Sequence, residues 1–170
     1  GYSRYLLDCR IVPQTRAEVQ AVMDRLMREY GAPEAIRSDN GQPFASGGAG
    51  GLTQLSVHWA KLGIRLDRID PGCPQQNGRH ERMHRTLKAD TARPPAATPA
   101  EQQARFDAFR PLFNEVRPHE ALAMATPASH YQPSPRAFPE KIEEPWYDAD
   151  HQVQRVYADG SLPWRGQLLF

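Results

Sequence analysis

Residues 15–41 read TRAEVQAVMDRLMREYGAPEAIRSDNG, and they decide the fold because they predict a helix followed by a short strand. Thr15 opens a capping box with a glutamate three residues later, and apolar residues then recur at helical spacing. Gly31 stands where this helix should end. Residues 35–38 are short and β-like, and they lead directly into Asp39. The stretch therefore predicts a strand that carries an acidic residue at its carboxyl end.

A second strand is predicted upstream of the helix. Residues 5–12 (YLLDCRIV) are rich in apolar and β-branched side chains and stop at Pro13. A strand, a helix and a strand in close succession form a β-α-β unit, whose two strands are parallel. Asp39 then lies at the carboxyl end of a parallel strand, where such sheets place their ligands.

Downstream of the acidic residue the same elements recur. Residues 52–62 have the apolar spacing of an amphipathic helix, and residues 64–69 predict another short strand. Residues 70–78 form a long loop with strong turn signals. A charged helix is predicted over residues 79–90, and it carries Glu81 close to its start.

The C-terminal half predicts helices followed by an extended tail. A second capping box at Thr98 begins a helix that Pro111 should kink, and another helix begins at Thr126. Prolines recur from residue 132 to 145, so this part is expected to be extended rather than packed. Residues 151–170 combine an alternating stretch, a turn and an apolar end, which predicts the start of a small β module.

Composition places the chain in a broad class. Of its 170 residues, 39% are hydrophobic, which suffices for a core, and the formal net charge of +1 does not by itself suggest a nucleic-acid partner. The cysteines, Cys9 and Cys73, form no CxxC motif, and we identify no histidine pair at zinc spacing. We therefore expect a cytoplasmic protein without disulfides or structural zinc. No apolar run is long enough to span a membrane, and no signal peptide opens the chain.

Two carboxylates stand out by their positions. Asp39 ends a strand beside a turn, and Glu81 follows a Gly/Pro-rich loop at the start of a helix, so both can converge on one sheet edge. Paired carboxylates offer the hard oxygen ligands that Mg²⁺ or Mn²⁺ requires, and such ions can activate phosphodiester chemistry. The alternative is structural, since aspartate favours Asn-Gly turns and glutamate favours the first turn of a helix.

Basic and amide side chains surround the second carboxylate. Arg85 and Lys88 share a helical face with Glu81, as a phosphate backbone beside a metal site would require. The alternative is an ordinary solvated helix with a Glu81–Arg85 ion pair. The full set of expected DNA contacts is Arg79, Arg82, Arg85 and Lys88 on the helix and Gln75, Gln76 and Asn77 in the loop before it.

Three histidines, His80, His84 and His119, are possible metal ligands. We favour structural roles, or roles that support a neighbouring metal ligand, because we find no spacing that matches a zinc site.

Several motifs together resemble one family. Residues 37–44 (RSDNGQPF) resemble the second-aspartate segment of DDE transposases and retroviral integrases, and residues 71–88 (PGCPQQNGRHERMHRTLK) resemble their glutamate segment. Residues 114–122 (NEVRPHEAL) and the following TPA at 126–128 resemble the tail of bacterial insertion-sequence transposases. The opening YSRY at residues 2–5 resembles their second strand.

The resemblance implies an α/β, RNase H-like fold in which a five-stranded mixed sheet is flanked by helices. It implies Mg²⁺- or Mn²⁺-dependent cleavage of DNA 3′ ends and their transfer into target DNA, with Asp39 and Glu81 as catalytic metal ligands. It also implies DNA contacts from Arg85 and Lys88, and homo-oligomeric assembly on element ends. On this basis the chain divides into an integrase-like core (1–92), C-terminal helices of the core (93–131), and an extended linker with the start of a small β module (132–170).

The chain departs from the family pattern in two respects. The family's first aspartate lies upstream of Tyr2, so an N-terminally truncated core with weak or no activity is expected, and Asp8 does not take its place. The spacing between Asp39 and Glu81 is wider than usual, and the Gly-rich loop at 46–51 can absorb the excess. The alternative function is a non-catalytic DNA-binding or assembly module of the same fold.

Overall fold

The computed structural model describes residues 2–13, 15–47, 51–70, 72–143, 146, 148–154, 157 and 161–169. The helices are α1 (Arg16–Tyr30), α2 (Gln54–Lys61), α3 (Gly78–Thr91) and α4 (Pro99–Pro111), and the strands are β1 (Ala35–Ser38), β2 (Arg65–Arg68), β3 (Leu162–Trp164) and β4 (Gln167–Leu169). Short 3₁₀ turns cover Pro74–Asn77, Glu120–Leu122 and Pro127–His130, and a π-helical turn covers Leu112–Val116. No helix within the described ranges is both long and apolar enough to cross a membrane.

Helix α1 confirms the predicted start and stop, but the capping box at Thr15 forms only in part. The Thr15 hydroxyl accepts a hydrogen bond from the Glu18 N–H, while the Glu18 carboxylate contacts that hydroxyl instead of accepting from the Thr15 N–H. Gly31 ends the helix with φ of 81°, a conformation that favours glycine. The buried face of α1 centres on Met27, which lies in the first of two hydrophobic cores.

Strands β1 and β2 form a parallel pair joined through α2. Ala35 pairs with Arg65 and Ser38 with Arg68, so both strands end at the same edge. Helix α2, capped by Thr53, packs Leu55 against this pair. The strands expected at 35–38 and 64–69 are confirmed, and β1-α2-β2 is the β-α-β unit of this chain.

The strand expected at residues 5–12 is wrong, since the structure shows no regular element there. Side chains of the C-terminal helices, rather than a neighbouring strand, bond its backbone. Asn114 accepts a hydrogen bond from the Leu6 N–H at 2.9 Å and donates one to the Leu6 carbonyl at 2.9 Å. Gln103 bonds the Cys9 carbonyl and the Ile11 N–H, and Arg110 donates to the Leu7 carbonyl. An apolar, β-branched stretch becomes a strand only when a ladder partner is available, and here side chains satisfy its polar groups.

The second hydrophobic core lies where α3 and α4 meet this N-terminal segment. Leu6, Leu87, Phe109 and Phe113 are buried together, so the segment is held by apolar contacts as well as hydrogen bonds. The helix predicted after Thr98 is confirmed as α4, with both hydrogen bonds of its capping box. After Pro111 the helix continues as the π turn, in which the Arg117 N–H bonds the Leu112 carbonyl.

The tail is extended, as expected, but it is packed, and that part of the prediction is wrong. Within residues 132–143 no helix or strand occurs, yet Arg136 donates to the carbonyls of Pro33 and Leu62 at 2.8 Å each. Phe138 and Ile142 pack against the first core. The prolines of this tail do not prevent it from packing, because its other side chains can still form hydrogen bonds with backbone carbonyls and apolar contacts with the core.

The expected β module and the full sheet are found only in part. Strands β3 and β4 form an antiparallel hairpin across Arg165 and Gly166, both with positive φ as in a type I′ turn. The stretch 151–154 contains no strand, and 155–156, 158–160 and 170 lie outside the described residues. The described residues show a mixed α/β arrangement of helices with small sheets, and the five-stranded mixed sheet stays a prediction.

Replacing Gly31 with alanine should lower the free energy of unfolding by about 2–4 kcal/mol, because of strain at positive φ and a clash. A Cβ at this position would lie 2.2 Å from the Ser134 carbonyl oxygen. Urea unfolding would measure the loss. Gly47→Ala is the matched control, since a Cβ there meets nothing within 4 Å, and equal stabilities of the two variants would contradict the prediction.

Replacing Asn114 with leucine should lower the free energy of unfolding by about 2–4 kcal/mol, because the Leu6 N–H and carbonyl would lose their partners in a buried site. Asn114 is 2% exposed, so water cannot readily replace it. Thermal denaturation monitored by circular dichroism would show the change. Gln132→Leu, at an exposed amide, should remain close to the wild type.

Candidate functional site

Asp39 lies where the sequence predicted, directly after β1 at the carboxyl edge of the parallel pair. Its Oδ1 accepts a hydrogen bond from the Gly41 N–H at 3.0 Å, which fixes the carboxylate over the turn. Asn40 donates from Nδ2 to the Ile69 carbonyl at 2.8 Å, so the turn is tied to the end of β2. The Asp39 side chain is exposed and can accept a ligand from solvent.

The loop between β2 and α3 is bonded to the strand pair and within itself. The Ile69 N–H donates to the Ser38 carbonyl at 3.3 Å, which extends the contact between the two strand ends. Gln76 accepts from the Asp70 N–H at 2.9 Å and donates to the Asp70 carboxylate at 2.7 Å. The chain therefore leaves the sheet edge beside Asp39 and enters α3 through the 3₁₀ turn at Pro74–Asn77. The Gln76 amide, expected to contact DNA, braces this loop in the structure.

Helix α3 places Glu81 in its first turn, on an exposed surface. Its inner face is buried at Leu87 and Thr91. Arg85 and Lys88, four and seven residues after Glu81, are exposed as well. Among the residues with described positions, none forms a hydrogen bond or ion pair with the Glu81 carboxylate, so the ordinary Glu81–Arg85 pair does not occur.

A cavity of about 510 Å³ opens beside this edge, between the strand pair and the start of α3. One wall carries the cross-strand pair of Arg37 and Asp67, whose Nη2 and Oδ2 lie 2.6 Å apart. Neither Asp39 nor Glu81 lines it. The other lining residues come from the N-terminal segment, the loop, α3 and β1: Arg4, Tyr5, Leu6, Ala35, Gln76, Asn77, Arg79, His80 and Met83. Its surface is therefore more basic than acidic, and it does not contain the candidate carboxylates.

Two histidines of α3 lie in contact, which the sequence prediction missed. The Nε2 atoms of His80 and His84 are 3.0 Å apart. Burial lowers the pKa of His84, and the neighbouring His80 and Lys88 lower it further. The four-residue spacing in a helix was the available signal, because residues four apart share one face. His119 is remote from them in sequence and packs edge-on against Phe113.

Two side chains offer oxygen ligands for the divalent cation that the family resemblance implies. Asp39 and Glu81 are exposed carboxylates that offer hard oxygen ligands, the type that Mg²⁺ and Mn²⁺ bind. Within the described ranges no group of three or more His, Cys, Asp or Glu side chains is placed to hold a metal ion. The two residues therefore suit a hard cation by chemistry, although they are not part of a three-ligand cluster.

Comparison with known proteins finds similarity to integrases and to an insertion-element protein. Residues 62–127 match the model of the integrase core domain family. Over 112 residues the chain is 31% identical to an uncharacterized 31.7 kDa protein of insertion element IS407 from Burkholderia multivorans, covering 65% of this chain and 38% of that protein. Over 125 residues it is 30% identical to the Gag-Pol polyprotein of Walleye dermal sarcoma virus, covering 71% of this chain and 6% of the polyprotein.

Solved structures of integrases have a similar fold. The catalytic core domain of BIV integrase matches with a TM-score of 0.52 and 25% identity, over 71% of this chain and 73% of that one. A chain of the simian T-cell lymphotropic virus intasome, solved with a PP2A regulatory subunit, matches with a TM-score of 0.52 and 18% identity, over 92% and 53%. The second likeness concerns the fold alone. The chain spans well under half the length of the curated relatives above.

Proposed function

We propose that this chain, which is similar to integrase cores of insertion elements and retroviruses, cleaves DNA 3′ ends and transfers them into target DNA during transposition. One observation carries the proposal. Asp39 stands at the carboxyl edge of β1-β2, and the chain runs from that same edge into the helix that bears Glu81.

Asp39 and Glu81 would hold Mg²⁺ or Mn²⁺. When bound, such ions supply the activation of a water or 3′-hydroxyl and stabilise the leaving oxygen of a phosphodiester. The Gly41 N–H orients the Asp39 carboxylate by binding Oδ1 and leaves Oδ2 for a ligand. The absence of an ion pair at Glu81 in the described structure supports the same role, since a paired carboxylate would have to lose its partner first.

DNA would approach along the exposed side of α3. Arg82, Arg85 and Lys88 are exposed there, and their positive charges beside two carboxylates would hold the phosphate backbone near the reacting bond. Arg79 lines the neighbouring cavity and extends the basic surface towards the loop. Gln75 and Asn77 of the loop complete the proposed contact set, together with Gln76 once it exchanges its bonds to Asp70.

Homo-oligomeric assembly on element ends and a cytoplasmic location belong to the same proposal. The intasome among the structural neighbours supports the expectation of assembly on DNA at the level of the fold. A non-catalytic DNA-binding or assembly module would use the same basic surface without the carboxylates. The two functions therefore differ in whether the protein carries out strand transfer.

In the complete protein with Mg²⁺ and element-end DNA, Asp39→Asn or Glu81→Gln should reduce the strand-transfer rate by at least about 100-fold, because each change removes a charged oxygen ligand. Gel analysis of joined products measures the rate. Glu115→Gln is the matched control, since Glu115 is an exposed carboxylate on the π turn. Full activity of the Asp39 and Glu81 variants would refute the metal assignment, and DNA binding without any activity of the wild type would favour the assembly module.

The double variant Arg85→Ala with Lys88→Ala should bind duplex DNA more weakly and with a shallower salt dependence, by a slope of about 0.9 for each lost phosphate contact. Fluorescence anisotropy at several salt concentrations measures both. Arg16→Ala with Lys61→Ala removes the same charge from exposed positions on α1 and α2. An equal loss in both double variants would mean that only net charge matters, and the α3 surface would then have no special role.

A further inference from the structure

The two histidines of α3 have a geometry that their roles so far do not explain. His80 and His84 meet at their Nε2 atoms, 3.0 Å apart, with ring centroids 4.3 Å apart and ring planes at 86°. His80 is exposed and His84 is half-buried, so the pair is open to solvent on one side. Both side chains belong to one helix, which fixes their separation.

The separation suits a bound cation. Two imidazole nitrogens on a tetrahedral Zn²⁺, each at about 2.0–2.1 Å, lie roughly 3.3 Å from each other. The observed pair would need to open by only a few tenths of an ångström. Without a metal, one ring donates its Nε2 hydrogen to the other, and a cation can replace that shared hydrogen.

The other histidines with described contacts lack this arrangement. His58 faces the Asp24 carboxylate with its Nε2, 3.1 Å from Oδ1, and His119 has its Nε2 3.4 Å from the Phe113 carbonyl oxygen. Each of these rings therefore has a protein oxygen as its partner. At positions 80 and 84, two nitrogen atoms that can both act as ligands face each other.

We propose that His80 and His84 form a two-histidine clamp, which binds a borderline transition-metal ion such as Ni²⁺, Zn²⁺ or Cu²⁺ on the surface of α3. Neutral imidazole prefers these ions, whereas Mg²⁺ prefers oxygen ligands, so the clamp differs in ligand class from the site proposed at Asp39 and Glu81. Water completes the coordination. The clamp stands independently of the strand-transfer proposal.

The clamp is a binding site and not a hydrolase centre. Residues 80–84 read HERMH, which matches the pattern in which a helix supplies two zinc-binding histidines and a general-base glutamate. Such catalytic sites have a third protein ligand. Within the residues that the structure describes, no third His, Cys, Asp or Glu joins this pair to form a ligand group.

Isothermal titration of the complete protein with Ni²⁺, and separately with Zn²⁺, tests the clamp. The wild type should bind one ion per chain, and His80→Gln or His84→Gln should weaken that binding by about tenfold or more, because each removes one of two protein ligands. Mg²⁺ should not compete at equal concentration. His130→Gln, at an exposed histidine outside α3, should bind as the wild type does.

Two further variants separate the clamp from other ligands. Glu81→Gln and Cys73→Ser should each retain Ni²⁺ binding within about twofold. Loss of binding in Glu81→Gln would assign the ion to the carboxylate, and loss in Cys73→Ser would assign it to the loop thiol; either result overturns the clamp. Unchanged affinity in both histidine variants, with folding verified by circular dichroism, also overturns it. For a protein loaded with Cu²⁺, electron paramagnetic resonance should show two nitrogen ligands in the wild type and fewer in each histidine variant.

Discussion

The parallel hydrogen bonding between β1 and β2 is the constraint on which the rest of the site depends. Because both strands run in the same direction, their carboxyl ends meet at one edge, and Ser38 and Ile69 are bonded there. Asp39 leaves this edge on one strand and the loop to α3 leaves it on the other. A slip of β1 by one residue would turn Arg37 into the core and remove Ile36 from it, and a slip of β2 would do the same with Asp67 and Leu66. The apolar face of this short pair therefore fixes the position of the acidic residue.

A second constraint comes from side chains that act in place of a strand. Asn114 binds both polar groups of Leu6, and Gln103 binds groups of Cys9 and Ile11, so the N-terminal segment is attached to α4 and the π turn over more than ninety residues of sequence. The same segment supplies a wall of the cavity beside the strand pair. The packing of the C-terminal helices thus shapes the surface next to the candidate carboxylates.

Helix α3 presents two sides with different chemistry. Glu81, Arg85 and Lys88 lie on an exposed side, whereas His80 and His84 precede Leu87 and Thr91 on the side that becomes buried. The proposed oxygen-ligand and nitrogen-ligand sites would share this helix and still select different cations, because carboxylate and imidazole prefer different metal ions. The strand-transfer proposal uses the Glu81 side of the helix and not the histidine pair.

The sequence by itself determined most of the local elements, the order of the motifs and the likeness to integrase cores. The N-cap at Thr15, the capping box at Thr98 and the stop at Gly31 were predictable because they depend on residues only a few positions apart. The same holds for the position of Asp39 after a strand, and the spacing of His80 and His84 would have allowed that pair to be found. Tertiary structure alone decided that residues 5–12 bond side chains instead of a strand, that the proline-rich tail docks through Arg136, and that the parallel partner of β1 is β2. Those outcomes depend on hydrogen bonds between residues that are far apart in sequence. A local sequence pattern does not show which distant group will lie close enough to bond a given backbone donor or acceptor.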